Sequence, residues 1–273
     1  MGMIFSWSDV LAGKVPSLES FTWAVENARE MFAKDEAIVG AIVCGSVIRG
    51  DHNRRSDVDV FVLYDPELQE EAFRCMQVIT RESFGRYVPL ACLPCDTRVA
   101  TTRMHHAGAS FRQHLERSAA AGGLLKGKPL AFLADSVPDK LELESYLRVK
   151  FYNLQEAWST AVTFSEERRM SYLKKLIEAP MHVARKVLAH RGLLDGDSKM
   201  RIRELYHEHV PKLACQFEGF VKLDEFYSAE LEGQLKEPDA RAYFRLLNTI
   251  GFSSEGILDF IRDNLVFVAS TAP

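Results

Sequence analysis

The chain has 273 residues, 47% of them hydrophobic, and carries 34 Lys+Arg against 38 Asp+Glu for a formal net charge of −4. This is enough apolar material for a packed core, and it excludes a disordered chain, a collagen-like repeat and a disulfide scaffold. With no basic excess there is no electrostatic case for a nucleic-acid coat or an anionic membrane surface as partner, so any phosphate site must be local.

Single cores stop growing at about 250 to 300 residues, and the length therefore suits two domains. The five cysteines Cys44, Cys75, Cys92, Cys95 and Cys215 are odd in number and irregularly spaced. They read as reduced thiols and predict a cytoplasmic location. No stretch approaches the roughly 18 consecutive apolar residues of a membrane span. The first residues have neither a basic nor an apolar signal region, so no Sec-type export is expected. Gly2 with Ser6 fits a myristoylation pattern, but no basic cluster or second lipid site accompanies it.

Taken in chain order, Phe21, Ala24, Val25, Ala28 and Phe32 recur at helical spacing within 18–32. Residues 37–43 then read as a buried strand, followed by a Gly-Ser turn. Residues 58–63 form a second strand and 67–84 a helix. Residues 87–93 form a third strand, whose Pro89 and the following Pro94 suit a sheet edge. Residues 110–121 read as another helix, and the Gly/Pro-containing stretch 127–138 as a linker. Beyond it the strand signal disappears. Helices are predicted over 141–164, 166–191, 199–209, 213–234, 239–249 and 254–266, punctuated by Gly192, Pro211, Pro238 and Gly251. The expectation is an α+β fold: a mixed sheet with flanking helices in residues 1–125, followed by an all-α bundle in 126–273.

The chemistry concentrates in the segment from Ile42 to Val60. A strand runs into Gly45-Ser46, a loop follows, and a second strand opens with Asp57-Val58-Asp59-Val60. Alternation along a strand sends Asp57 and Asp59 to one face. Two carboxylates that close repel each other unless a cation lies between them. Oxygen-only ligands suit Mg²⁺ or Mn²⁺, which one or two carboxylates commonly hold together with substrate phosphates. Gly45 lets backbone approach a phosphate, and Ser46 offers a hydroxyl and an N–H. A helix starting there directs its positive end at the anion, and Arg49 follows closely.

At these residues the sequence resembles the DNA polymerase β-like nucleotidyltransferase superfamily, whose pattern is Gly followed by Gly or Ser, a spacer of about ten residues, then Asp-apolar-Asp-apolar. Gly45-Ser46 and Asp57-Val58-Asp59-Val60 fill it. Arg49-Gly50-Asp51 and Ser56-Asp57 look like the minimal and aminoglycoside nucleotidyltransferase branches, in which a helical bundle follows the catalytic domain. The resemblance implies transfer of a nucleoside monophosphate from an NTP such as ATP to a hydroxyl of a small molecule or protein, with pyrophosphate leaving. It implies metal on Asp57 and Asp59, and triphosphate contacts at Gly45, Ser46, Arg49 and Ser56.

One departure stands out. Active members carry a third acid on the next strand, and residues 87–93 contain none. Asp96 is the nearest carboxylate: either the Pro94 bend carries it into the site as a catalytic group, or it only caps a turn. Glu144 is a second candidate, reaching from the helical domain across an interdomain cleft.

Weaker signals have plain readings. Cys92-Leu-Pro-Cys95 lacks a second ligand pair for zinc and reads as core thiols. His105-His106 reads as a solvated loop, and Arg168-Arg169 and Lys174-Lys175 as helix surface. Arg185 and His190 resemble the Arg-x4-His signature of HEPN ribonuclease domains, but a helix end before Gly192 accounts for both. The sequence therefore predicts a cytoplasmic nucleotidyltransferase. The rivals are a catalytically degenerate nucleotide-binding regulator or antitoxin and a HEPN-type ribonuclease. The partners are an NTP and a hydroxyl-bearing acceptor, with no membrane; a homodimer is left open.

Overall fold

The structure is a computed structural model and describes residues 12–54, 56–102, 109–134, 140–160, 166–233 and 254–270. The chain divides into two compact units, Met1–Val137 and Pro138–Pro273.

The first unit starts with helix α1, Leu18–Lys34, whose first turn is closed by Ser17 accepting from the Ser20 N–H. Strand β1, Ile38–Cys44, leads through Gly45 into the single-turn helix α2, Ser46–Arg49. Strand β2 is Val58–Tyr64, helix α3 Gln69–Phe84, strand β3 Leu90–Asp96, the short α4 Thr97–Ala100 and α5 Ala109–Ser118. A wide turn, Ala119–Gly123, then feeds a three-residue strand β4, Leu124–Lys126.

The sheet is mixed, in the order β3-β2-β1-β4, with β1 antiparallel to both β2 and β4, and β2 parallel to β3. Strand alternation gives it two apolar faces. Val58, Val60 and Val62 of β2 join Ala41 and Val43 of β1 under α1 and α3, where Phe21, Ala28, Phe32, Met76 and Ile79 are buried. Phe61 and Leu63 join Ile42, Cys44 and Cys95 on the opposite face, beneath Ala100, Leu115 and Leu133. Each fully buried aliphatic or aromatic side chain adds about 1.5–3 kcal/mol, so both faces hold the sheet firmly.

Two sequence expectations shift here. The third strand begins at Leu90 rather than at residue 87, because Tyr87 closes a turn with φ of 61°, a conformation no strand residue holds. The division expected between residues 125 and 126 falls inside β4, which pairs with β1 and so lies within the first compact unit. A three-residue strand beside Gly127 leaves too short a pattern to read.

In the second unit the helices are α6 Lys140–Thr160, α7 Glu166–His190, α8 Lys199–His209, α9 Pro211–Gly233 and α10 Ser254–Ser270. They enclose one apolar cluster around Leu147, Val183, Val187, Tyr206, Phe217 and Phe260. Its buried polar pair is satisfied: Tyr206 donates its hydroxyl to Asn264 Oδ1 at 2.7 Å, and Asn264 Nδ2 donates to the Phe260 carbonyl at 2.8 Å. The expected helix over 239–249 lies outside the described residues, as do His105 and His106.

Candidate active site

The candidate site lies where the second sheet face runs out of apolar cover. In β2 the alternation that buries Phe61 and Leu63 on that face puts Asp59 there too, and Asp57 stands immediately before the strand. Val58 and Val60 are fully buried beneath α1 and α3, and they fix the strand so that the carboxylates cannot rotate to the other side.

Across the ladder Cys44 pairs with Asp59, and the Cys44 thiol donates to the Asp59 carbonyl at 3.6 Å. The next residue, Gly45, has φ of 90° and ψ of −158°, a region closed to side-chain-bearing residues. A Cβ on Gly45 would stand 3.7 Å from Asp59 Oδ2. Backbone without a side chain thus lies directly against one of the two carboxylates. The turn Ala119–Gly123 presses on the same strand end, since a Cβ on Gly123 would come within 2.3 Å of the Val43 carbonyl.

The loop from Arg49 to Ser56 is laced to itself and to the start of α1. Arg49 makes a two-point ion pair with Asp51, Nε to Oδ2 at 3.2 Å and a terminal nitrogen to Oδ1 at 3.1 Å. The Ser56 hydroxyl donates to Asn53 Oδ1 at 3.3 Å and accepts from the Asn53 N–H at 3.0 Å. Arg54 Nε donates to the Pro16 carbonyl at 2.9 Å, and His52 sets its ring edge-on to Phe21 with centroids 5.2 Å apart. Of the residues expected at the triphosphate, Gly45 lies against Asp59, and Ser46 follows it as the first residue of α2. Arg49 is clasped by Asp51, and Ser56 closes the loop. Asp51 was readable in the Arg49-Gly50-Asp51 triplet, but its role as the partner of Arg49 was not.

The third carboxylate is where the reading needs correction. The parallel register sets Ala91 opposite Asp59, and Asp96 opposite Tyr64 at the other end of β2. Five residues at about 3.3 Å each leave Asp96 some 17 Å along the strand from the level of Asp59. It also pairs with Tyr64, which packs on the α1 and α3 face. There Asp96 caps α4, its Oδ1 accepting from the Arg98 N–H at 2.6 Å and its Oδ2 from the Arg98 guanidinium at 3.3 Å. Partial burial pushes its carboxyl up, but these hydrogen bonds outweigh that and hold it below the usual carboxylate range. Pro94 therefore does not carry Asp96 to the pair. Glu144 lies on α6 of the second unit.

Cys92 and Cys95, three positions apart in one strand, fall on opposite faces of the sheet, which no shared metal could reconcile. Burial pushes their thiols up to about 12 and about 11. Arg185 Nε pairs with Asp197 Oδ1 at 3.0 Å, and Asp197 is almost wholly buried. Its partner in the Arg-x4-His spacing, His190, has a buried Nδ1 with no hydrogen-bond partner.

The mixed sheet, with Asp59 beside the glycine-opened turn, can be set against known families. Residues 25–104, from within α1 past α4, match the family model of the nucleotidyltransferase domain. That segment is similar to such a domain, consistent with the polymerase β-like superfamily that the motif resembles. No curated protein matches the chain. No solved structure matches it either.

Among the described residues, no three or more His, Cys, Asp or Glu side chains gather as a metal site. Two carboxylates with phosphate oxygens from a substrate are nonetheless a usual complement for Mg²⁺, so the donor set fits that ion when a triphosphate is bound. No helix among the described residues is long and apolar enough to cross a membrane.

Proposed function

We propose that the first unit binds a nucleoside triphosphate with Mg²⁺ or Mn²⁺ and transfers the nucleoside monophosphate to a hydroxyl of a small molecule or protein. One observation supports this reading: the Asp59 carboxylate, two residues after Asp57, stands directly beside Gly45, where the chain has no side chain to block a phosphate.

Asp57 and Asp59 would hold the metal, which supplies charge neutralisation on the triphosphate. Gly45 lets the backbone come close, and the first N–H groups of α2, with no intrahelical partner of their own, and the Ser46 hydroxyl offer donors to phosphate oxygens. In the transfer, an acceptor hydroxyl oxygen forms a bond to the α-phosphorus as the bond to the pyrophosphate oxygen breaks. Pyrophosphate departs, and the hydroxyl proton goes to a base or to water. ATP in the cytoplasm is the donor this reading expects.

A second reading has its own support. Ala91 occupies the β3 position level with Asp59, so the strand supplies no acid to take the hydroxyl proton. The domain would then bind nucleotide without efficient transfer, as a regulatory module.

The test is to incubate the full chain with α-labelled ATP, GTP, CTP and UTP, Mg²⁺ or Mn²⁺, and a panel of hydroxyl acceptors with cell extract. Metal-dependent label on an acceptor supports transfer. Metal-dependent binding without label supports the regulatory reading, and failure to bind any NTP would sink both.

A further inference from the structure

The strand order β3-β2-β1-β4 leaves β3 with a neighbour on one side only. Between that strand and α3 runs a groove of about 650 Å³, within the volume range of small-molecule sites. Phe73, Met76 and Phe84 of α3 and Leu90, Cys92 and Pro94 of β3 make it largely apolar. Because α3 joins two parallel strands, it runs opposite to β3. Phe73, whose ring centroid lies 5.3 Å from that of Tyr64, marks the Pro94 end, and the largely exposed Phe84 marks the Leu90 end. Met76 and Leu90 belong to the core on the α1 and α3 face, so the sheet separates this groove from the face on which Asp59 lies.

The α3 side of the groove also carries polar groups. Gln77 and Arg81 line it four residues apart, and so stand one above the other on the helix. Among the described residues neither the Gln77 amide nor the Arg81 guanidinium has a hydrogen-bond or ion-pair partner. The sequence accounts for this. The positions three and four away from Arg81 are Gln77, Val78, Phe84 and Gly85, none of them an acid. Glu82, the adjacent acid, turns toward α1, where it accepts from Asn27 Nδ2 at 2.9 Å. Arg49 and Arg98, by contrast, each hold a carboxylate close by in sequence. An exposed guanidinium is well hydrated, so its lack of a partner costs little; the informative feature is its place, a permanent cation beside an apolar groove.

We propose that the groove binds a small amphiphilic carboxylate, its head held by Arg81 and Gln77 and its apolar body laid along Met76 and Phe73 toward Pro94. The guanidinium fork meets a carboxylate at two points, and the Gln77 amide adds a further donor. From Arg81 back to Phe73 the helix rises about 12 Å at about 1.5 Å per residue, a length that suits a medium alkyl chain. A neutral apolar molecule fills the groove without using the cation, and an amine is repelled by it.

The experiment titrates the full chain by calorimetry with decanoate below its micelle threshold, and in parallel with decanol and decylamine. One decanoate per chain is expected to bind saturably, with decanol weaker and decylamine not binding. Arg81→Gln should weaken decanoate at least about fivefold and bring it level with decanol. Gln77→Trp, at an exposed position, should fill the groove and abolish binding with the circular dichroism unchanged. Asp59→Asn should bind decanoate as the wild type does, which separates failure here from failure of the nucleotide reading. The proposal falls if decanoate does not bind saturably, if several molecules bind per chain with equal affinity, or if decylamine binds as tightly. It falls equally if either groove variant binds as the wild type does, or if Asp59→Asn loses decanoate as they do.

Discussion

The two ends of the β2–β3 ladder hold the same kinds of residue and put them to different uses. At one end Asp59 stands level with Ala91, beside Gly45. At the other, Tyr64 stands level with Asp96, whose carboxylate is committed to the first turn of α4. Both ends carry acid, but only at one does a carboxylate stand against side-chain-free backbone. Register and strand parity, more than closeness in sequence, decide which acids can cooperate.

Removing the paired charge should break the contrast most severely. Asp57→Asn or Asp59→Asn is expected to lower metal-dependent NTP affinity about a hundredfold or more while thermal stability stays close to wild type, since no core packing is lost. Equilibrium binding with and without chelator measures it, and undiminished metal-dependent affinity in both variants would remove the pair from the site.

A gain is expected from making the two strands alike. Ala91→Asp sets a carboxylate on the face of Asp59, and with the acceptor present it should raise turnover about tenfold or more over any change in NTP binding. Turnover left at the wild-type level would mean that proton removal is not what limits the domain.

Gly45→Val comes next. A β-branched side chain at φ of 90° costs on the order of 1–3 kcal/mol and stands against Asp59 Oδ2. Chemical denaturation should report that loss, accompanied by weaker nucleotide binding. Wild-type values of both would show that the turn relaxes freely.

At the opposite end Asp96→Ala should cost about 0.5–2 kcal/mol through the lost helix cap, and leave kcat and NTP affinity alone. A collapse of kcat with binding retained would return Asp96 to the mechanism.

The smallest effect concerns acid stability in the helical unit, where Glu218 accepts from Arg203 and pairs with His207 at 3.1 Å. Burial pushes the Glu218 carboxyl up, but hydrogen bonds from Arg203 and His207 outweigh it and leave it below its ordinary value. A carboxylate depressed in the folded state contributes stability above its unfolded pKa of about 4.3, and loses it as pH falls through the lower folded value. Glu218→Gln should remove that part of the acid sensitivity, a few tenths to about 1 kcal/mol in denaturation curves collected from pH 6 down to 3.

Much of the fold was legible because its signals are local. The period-two run Val58–Tyr64 and the helical stripe Phe21 to Phe32 each announce an element without help from elsewhere. The position of Asp59 beside the Gly45 turn follows from equally local signals, a strand, a glycine and a second strand in sequence. Asp96 misled because its position depends on how β3 registers against β2, a non-local fact that no spacing encodes. The pairing of Arg49 with Asp51 escaped notice because the left-handed turn at Gly50, with φ of 77°, folds the loop back on itself.

Pro94 offers one further consequence. Val58 N–H donates to the Pro89 carbonyl, so alternation turns the backbone of residues 89, 91, 93 and 95 toward β2, and that of 90, 92, 94 and 96 outward. The open edge of the sheet therefore lacks an N–H at Pro94. A stray strand docking there, whether from a nascent copy of the chain or from an unfolded neighbour, finds a gap in the row of donors it must match. The residue that failed to deliver a carboxylate to the site thus acts as a guard against edge-to-edge association.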